Sequence, residues 1–163
     1  MIANLKKLEA VVLLLAKHPK VKNLGRTKLY KLAYFADVTH LREFGATITG
    51  SEYIKYPYGP VPSRAEKVLR TLKSLNQIDM QRRVMSGERE IEEIVSKTNF
   101  VPTNLSESER ATLDQTASRL GGKTAKYLSD LSHKEPAWCY ADMKDKLDFE
   151  LMAYGYEEDP HGL

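Results

Sequence analysis

The chain is 163 residues long, with 42% hydrophobic and 29% charged residues and a formal net charge of +3. That is the length of about one domain, with enough apolar mass for a core that needs no covalent staples, and no apolar run approaches the roughly 20 residues of a membrane-spanning helix. A single cysteine, Cys139, excludes an internal disulfide, and the start of the chain lacks the basic-then-apolar pattern of a cleavable leader, which together predict a cytoplasmic protein.

Asn4 is placed to cap a first helix whose inner positions are Leu5, Leu8, Val12 and Leu15, spaced by three and four residues. His18-Pro19 ends it, and Asn23-Leu24-Gly25 reads as a turn. The next helix, from about Thr27 to Phe44, is apolar on nearly every side, with Leu29, Leu32, Ala33, Phe35 and Ala36 on one arc and Tyr30, Tyr34, Val38 and Leu41 on another. Such a helix belongs in the centre of a fold, and Gly45 supplies its left-handed cap. Ile48 to Tyr56 reads as extended chain or a short strand. Tyr56-Pro57-Tyr58-Gly59-Pro60-Val61 is a rigid turn that continues neither a helix nor an inner strand, because its prolines have no N–H to donate. Ser63-Arg64-Ala65-Glu66 has the form of a capping box and opens a third helix with Ala65, Val68, Leu69, Leu72 and Leu75 inward.

Ile78 to Met85 and Glu90 to Val101 flank Ser86-Gly87 as the two arms of a hairpin. A second capping box, Ser106-Glu107-Ser108-Glu109, opens a polar fourth helix that stops at Gly121-Gly122. Thr124 to Leu131 forms a short fifth helix, broken at Ser132 to Pro136 before Trp138. The predicted fold class is mainly α: a single helical domain of about five to six helices, with a small β-hairpin or short strands after the third helix. The domain is expected to cover 1–140, followed by an acidic tail over 141–163, either loosely ordered or packed on the domain.

Charge is unevenly spread. No acid occurs from Ala10 to Ala36, where Lys17, Lys20, Lys22, Arg26, Lys28 and Lys31 lie, whereas seven acids outnumber two lysines from Tyr140 to Leu163. The residues assemble no active site. His18, His40, His133 and His161 show no metal-ligand spacing with Cys139 or with paired carboxylates, and no glycine cluster forms a phosphate-cradling loop. No catalytic residue, metal or cofactor is expected: Cys139, six residues after His133, has the alternative of a nucleophile pair with that imidazole, but beside Trp138 it is expected to be a buried, unreactive thiol. Asp37 reads as a buried carboxylate accepting hydrogen bonds from a neighbouring loop, with a catalytic carboxylate as the alternative, and His133 as a helix-terminal residue meeting free carbonyls, with a protonation switch as the alternative. Three helices followed by a hairpin bearing Arg82 and Arg83 is also the order of a winged-helix DNA binder. Its third helix would present Arg64, Lys67, Arg70 and Lys73 outward, a pattern shared with any solvated helix face.

The run Lys28-Leu29-Tyr30-Lys31-Leu32-Ala33-Tyr34-Phe35-Ala36-Asp37, then Thr39-His40-Leu41, Gly45, Ile48-Thr49-Gly50, Tyr53 and Tyr58-Gly59-Pro60-Val61-Pro62, resembles the Panacea domain, also met as SocA-like antitoxins and phage-associated GepA-like proteins. Leu128-Ser129-Asp130-Leu131-Ser132-His133 with Trp138 is similar to that family's closing motif, so the resemblance spans roughly 5–140. Tyr30 departs from it, standing where glutamine is frequent.

The resemblance implies an antitoxin of a bacterial or phage toxin–antitoxin module, without catalysis, acting on a cognate toxin by direct contact or by delivering it to an ATP-dependent protease. It carries Lys28, Tyr34, Asp37, Gly59, Pro60, His133 and Trp138 over as fold-defining or partner-facing. Tyr53, Tyr56 and Tyr58, crowded around the proline turn, are the candidate partner-binding residues with Lys28 and Lys31. A winged-helix-like DNA-binding regulator is the alternative, and an unrecognised hydrolase a third reading; no membrane partner is expected.

Overall fold

The computed structural model describes residues 5–87 and 89–155; the expected Asn4 cap, His161 and the last part of the tail lie outside the described residues. Helix α1, Leu5–Lys17, buries Leu8, Val11, Val12 and Leu15 and stops before Pro19. Helix α2, Arg26–Phe44, begins after Gly25 without a side-chain cap. The Lys28 ammonium instead folds back onto the Lys22 carbonyl, tying down the turn that leads into the helix. Residues 28–38 are buried without interruption. The helix ends at Gly45, whose φ of 84° is left-handed and whose N–H returns to the Leu41 carbonyl at 2.9 Å.

Beyond it, β1 (Tyr53–Tyr56) pairs antiparallel with β2 (Gly59–Pro62), with Tyr53 opposite Pro62 and Tyr56 opposite Gly59. Here two expectations are corrected. The proline turn is the corner of a hairpin whose second arm is itself a strand, and the described fold is mixed α/β, with helices dominating, rather than mainly α. The reason is parity: Ser63 N–H donates to the Glu52 carbonyl at 2.8 Å, so Val61 and Ser63 face β1 while Pro60 and Pro62, two residues apart, turn their missing donors to the outer edge. The other edge of β1 is taken up by the chain after Tyr140, through Lys55 N–H to Asp145 O at 2.9 Å and Leu147 N–H to Tyr53 O at 2.8 Å. Residues 142–147 are thus laid along the hairpin.

Helix α3, Ala65–Ser74, follows, but the capping box expected at Ser63 and Glu66 does not form. Ser63 is occupied with the β ladder, and the Glu66 carboxylate is drawn instead to Arg26 at 2.6 Å and the Tyr30 hydroxyl at 2.7 Å. Leu75, expected inward, is exposed, because it lies past the end of the helix. Strands β3 (Ile78–Val84) and β4 (Glu90–Ser96) make the second hairpin, tied at Ile94 N–H to the Leu24 carbonyl at 2.8 Å.

Helix α4, Glu107–Leu120, opens with the expected box: Ser106 Oγ accepts from Glu109 N–H at 3.2 Å, and Glu109 Oε1 from Ser106 N–H at 2.8 Å. Helix α5, Ala125–Ser132, is capped by Thr124. The one-turn helices α6 (Pro136–Cys139) and α7 (Phe149–Met152) close the described chain. One hydrophobic core runs from α1 to Met152, and α2 meets α4, β2 and α5 around its circumference.

Candidate partner-binding site

A central helix so deeply buried leaves most of its polar side chains no water, so they find partners inside; the Thr39 hydroxyl is an exception with no hydrogen-bond partner among the described residues. Three side chains of α2 find theirs in three different ways. Asp37 accepts four hydrogen bonds from the segment after Gly45: Ile48 N–H at 2.8 Å, Thr49 N–H at 2.9 Å, Thr49 Oγ1 at 2.6 Å and Tyr53 OH at 2.6 Å. Burial pushes this carboxyl above its usual range, and the four donors pull it part of the way back. Tyr34 donates to Glu135 Oε1 at 3.0 Å, and Arg42 holds the same oxygen at 2.6 Å. Arg42 also reaches the Met152 and Tyr154 carbonyls, so this buried ion pair fastens α6 and α7 to the far end of α2.

Lys31 is the third. Its ammonium is buried and donates to the Pro60 carbonyl at 2.6 Å, the carbonyl that the proline parity of β2 turns off the sheet. Burial lowers this amine to about 7. The contact belongs to a series. Ser129 Oγ donates to the Tyr58 carbonyl at 2.7 Å, His133 Nε2 bonds the Pro57 carbonyl at 2.8 Å, and Trp138 Nε1 donates to the Tyr56 carbonyl at 3.0 Å. A carbonyl only accepts, so Nε2 of His133 carries a hydrogen. The His133 ring stacks on Trp138 with centroids 4.2 Å apart, and the Lys55 ammonium stands 4.1 Å from the Trp138 centroid. Four carbonyls of the hairpin corner are therefore clamped by side chains from α2, α5 and α6. Gly59 makes the approach possible: its φ is +117°, and a Cβ there would overlap Ser132 Oγ and lie 2.5 Å from Lys31 Cε.

The clamped corner forms one wall of a cleft of about 790 Å³. Pro57 and Tyr58 face Ser129 and His133 of α5, the start of α2 at Arg26 and Lys28, and Ile91 and Glu92 of β4. Part of the charge on its rim is paired: Arg26 contacts Glu66 and Glu92 at 2.6 Å each, and Lys126 contacts Asp130 at 2.7 Å. The dimensions and mostly apolar floor fit a protruding side chain or short segment of a partner.

The structure separates the residues singled out in the sequence. Tyr58 is 72% and Tyr56 40% exposed, whereas Tyr53, Lys28 and Lys31 are buried, so the last two cations of the acid-free stretch from Ala10 to Ala36 are not on the surface. Lys28, Tyr58 and His133 meet at the cleft, while Tyr34 and Asp37 lie in the core beneath. Gly59, Pro60 and Trp138 build the corner. His133 bonds a carbonyl of the hairpin rather than of its own helix, and Cys139 is exposed rather than buried, because α6 is a single turn that faces Ala137 inward. Its Sγ rests 3.1 Å from the His133 carbonyl. Ser129, Arg42 and Glu135 were missed; for Ser129 the signal was its four-residue spacing to His133 on one helix face, while nothing local marks Arg42 and Glu135.

Among the described residues no three of His, Cys, Asp and Glu are grouped so as to hold a metal ion, and no helix is long and apolar enough to cross a membrane. The family model described as antitoxin SocA-like, Panacea domain, matches residues 29–139, from the second turn of α2 to the end of α6. The chain belongs to the SocA-like Panacea family. No curated protein and no solved structure matches it significantly. The matched segment of this Panacea domain contains the whole carbonyl clamp, from Lys31 to Trp138, together with the Asp37 network and the Tyr34–Glu135–Arg42 cluster, but not the Met152 and Tyr154 carbonyls that Arg42 also reaches. An antitoxin-type role, with a toxin as partner, follows from the family.

Proposed function

We propose that this Panacea domain neutralises its cognate toxin by direct protein–protein contact, with the clamped hairpin corner and the adjoining cleft as the docking surface and no turnover of its own. One observation carries the reading: four buried or half-buried donors are spent on holding a surface turn rigid, while the turn's tyrosine side chains are left outside. Rigid aromatic side chains beside a pre-formed hollow are what interface anchors require, since little ordering entropy is lost on docking. Delivery of the bound toxin to an ATP-dependent protease is compatible with the same surface and is not needed for it.

The test is co-expression. The product of the gene adjacent to this one should arrest growth alone and be tolerated with the antitoxin, and the two should co-purify. A toxin that is tolerated without forming a complex with this chain would overturn direct binding in favour of an indirect route.

A further inference from the structure

Several exposed cations of the described residues make no side-chain hydrogen bond or ion pair, Lys17, Lys20 and Lys22 beside the end of α1 among them, and one row of four lies on a single helix. Arg26, Arg82, Arg83, Lys126 and Lys146 each contact a carboxylate, and Arg110 donates to the Pro102 carbonyl. Arg64, Lys67, Arg70 and Lys73 are exposed and make no hydrogen bond or ion pair among the described residues. They lie at every third position along α3 and its N-cap, opposite the buried arc of Ala65, Val68, Leu69 and Leu72. The one carboxylate of that helix, Glu66, is hydrogen-bonded by Arg26 and Tyr30 and feels Arg70 only through space, and Asp79 beyond the helix end influences Lys73 likewise at a distance.

We propose that this face of α3 is a second binding surface, separate from the toxin cleft, that takes the phosphate backbone of duplex nucleic acid. Composition decides between a polyanion and an acidic protein. Protein interfaces draw their affinity from aromatic or apolar anchors at their centre, and the centre of this face carries none: beside the four cations stand Glu66, Thr71 and Ser74, with the exposed Leu75 only past the end of the helix. Cations interleaved with hydroxyls are the side chains that contact phosphates. The row extends over about 13 Å of helix at 1.5 Å per residue, roughly four steps of the 3.4 Å rise along one strand. No side chain among them is of the Asn or Gln type that reads adenine edges, although Arg and Lys also meet guanine edges, so a duplex of arbitrary sequence isolates the backbone contribution. The neighbouring hairpin adds little net charge, since its Arg82 and Arg83 are paired with Glu90 and Glu93.

Fluorescence anisotropy of the full chain with a labelled 20-base-pair duplex of arbitrary sequence tests this. At 50 mM salt the expected dissociation constant is on the order of micromolar, as for non-specific binding, and up to four phosphate contacts give a slope of log affinity against log salt of about −3 to −3.6, a loss of roughly a hundredfold by 200 mM. The double variant Lys67→Glu/Arg70→Glu, with an unchanged melting curve, should bind at least tenfold more weakly, while the charge-matched Lys17→Glu/Lys20→Glu on the α1 side should lose less than threefold. Equal losses in the two pairs would overturn the assignment to α3, as would a salt slope near zero. Displacement of the duplex by polyglutamate as effectively as by unlabelled duplex would show an acidic polypeptide to be the ligand instead. Loss of toxin protection in the folded α3 variant would show that the face belongs to the toxin site.

Discussion

Lys31 and Pro60, 29 positions apart, are joined by a buried hydrogen bond of 2.6 Å from an ammonium to a carbonyl that no strand can use. The pairing couples the central helix to the exposed corner of the β1–β2 hairpin and makes the stability of that corner sensitive to proton binding.

Burial lowers the Lys31 amine from 10.5 to about 7, and the Lys28 amine to about 8. Between those values and 10.5 the unfolded chain binds more protons than the folded one, so stability rises as pH increases through this window and is lowest below it. Thermal melts from pH 7 to pH 9 should show increasing stability, by about 1.4 kcal/mol per pH unit at most from Lys31. Lys31→Met should flatten the rise. A wild-type melting temperature that falls over this range would contradict the account.

Asp37→Asn keeps the shape of the side chain but turns an amide donor toward donors, leaving at least one buried group without an acceptor. The expected cost is about 1 to 3 kcal/mol, measured by denaturant unfolding. Thr49→Val removes one of the four donors and also the acceptor of the buried Ser51 N–H, so it too should cost about 1 to 3 kcal/mol.

At Gly59, two effects act together. A φ of +117° is costly for any residue with a Cβ, and that Cβ would collide with Ser132 and Lys31. Gly59→Val is expected to destabilise the protein by about 3 kcal/mol or more, combining backbone strain with overpacking. Gly45→Ala serves as the comparison, because its φ is also positive but its Cβ meets nothing within 4 Å; it should cost only about 1 kcal/mol.

Tyr58→Ala should weaken toxin binding by at least about 1 kcal/mol, the threshold of a significant interface residue, with an unchanged melting curve, since the ring is largely outside. Titration calorimetry with the purified toxin reads it. Trp138→Phe keeps a ring against His133 and Lys55 but removes the donor to the Tyr56 carbonyl; it should reduce both stability and affinity, which distinguishes positioning of the corner from direct contact.

Cys139→Ser is expected to protect cells from the toxin as well as the wild type does. The thiol is exposed, but its hydrogen-bond partner is the His133 carbonyl, not the imidazole, so no base activates it. Loss of protection by the folded variant would reopen thiol chemistry.

Periodicity and local chemistry determined much of this protein. The uninterrupted apolar circumference of α2 announced a central helix, Gly45 its end, Ser106 and Glu109 a capping box, and the loop-bonded Asp37 is legible because a carboxylate inside an apolar helix has few other fates. The ordered motifs from Lys28 to Trp138 sufficed to indicate the family. What they did not determine is how distant segments meet. The strand character of Gly59 to Pro62 depends on which of its faces the partner strand occupies, a fact of pairing that two prolines disguise. Lys28 and Lys31 look like surface charges, and only the helices packed around α2 show that they are buried. The Ser63 and Glu66 box fails because Arg26 and Tyr30, 40 and 36 positions away from Glu66, compete successfully for its carboxylate. The clamp itself joins side chains of α2, α5 and α6 to carbonyls of one turn, and backbone carbonyls carry no residue identity. Local propensity is written in side chains near one another in the chain, whereas the acceptor a donor reaches is set by the packing of the whole core.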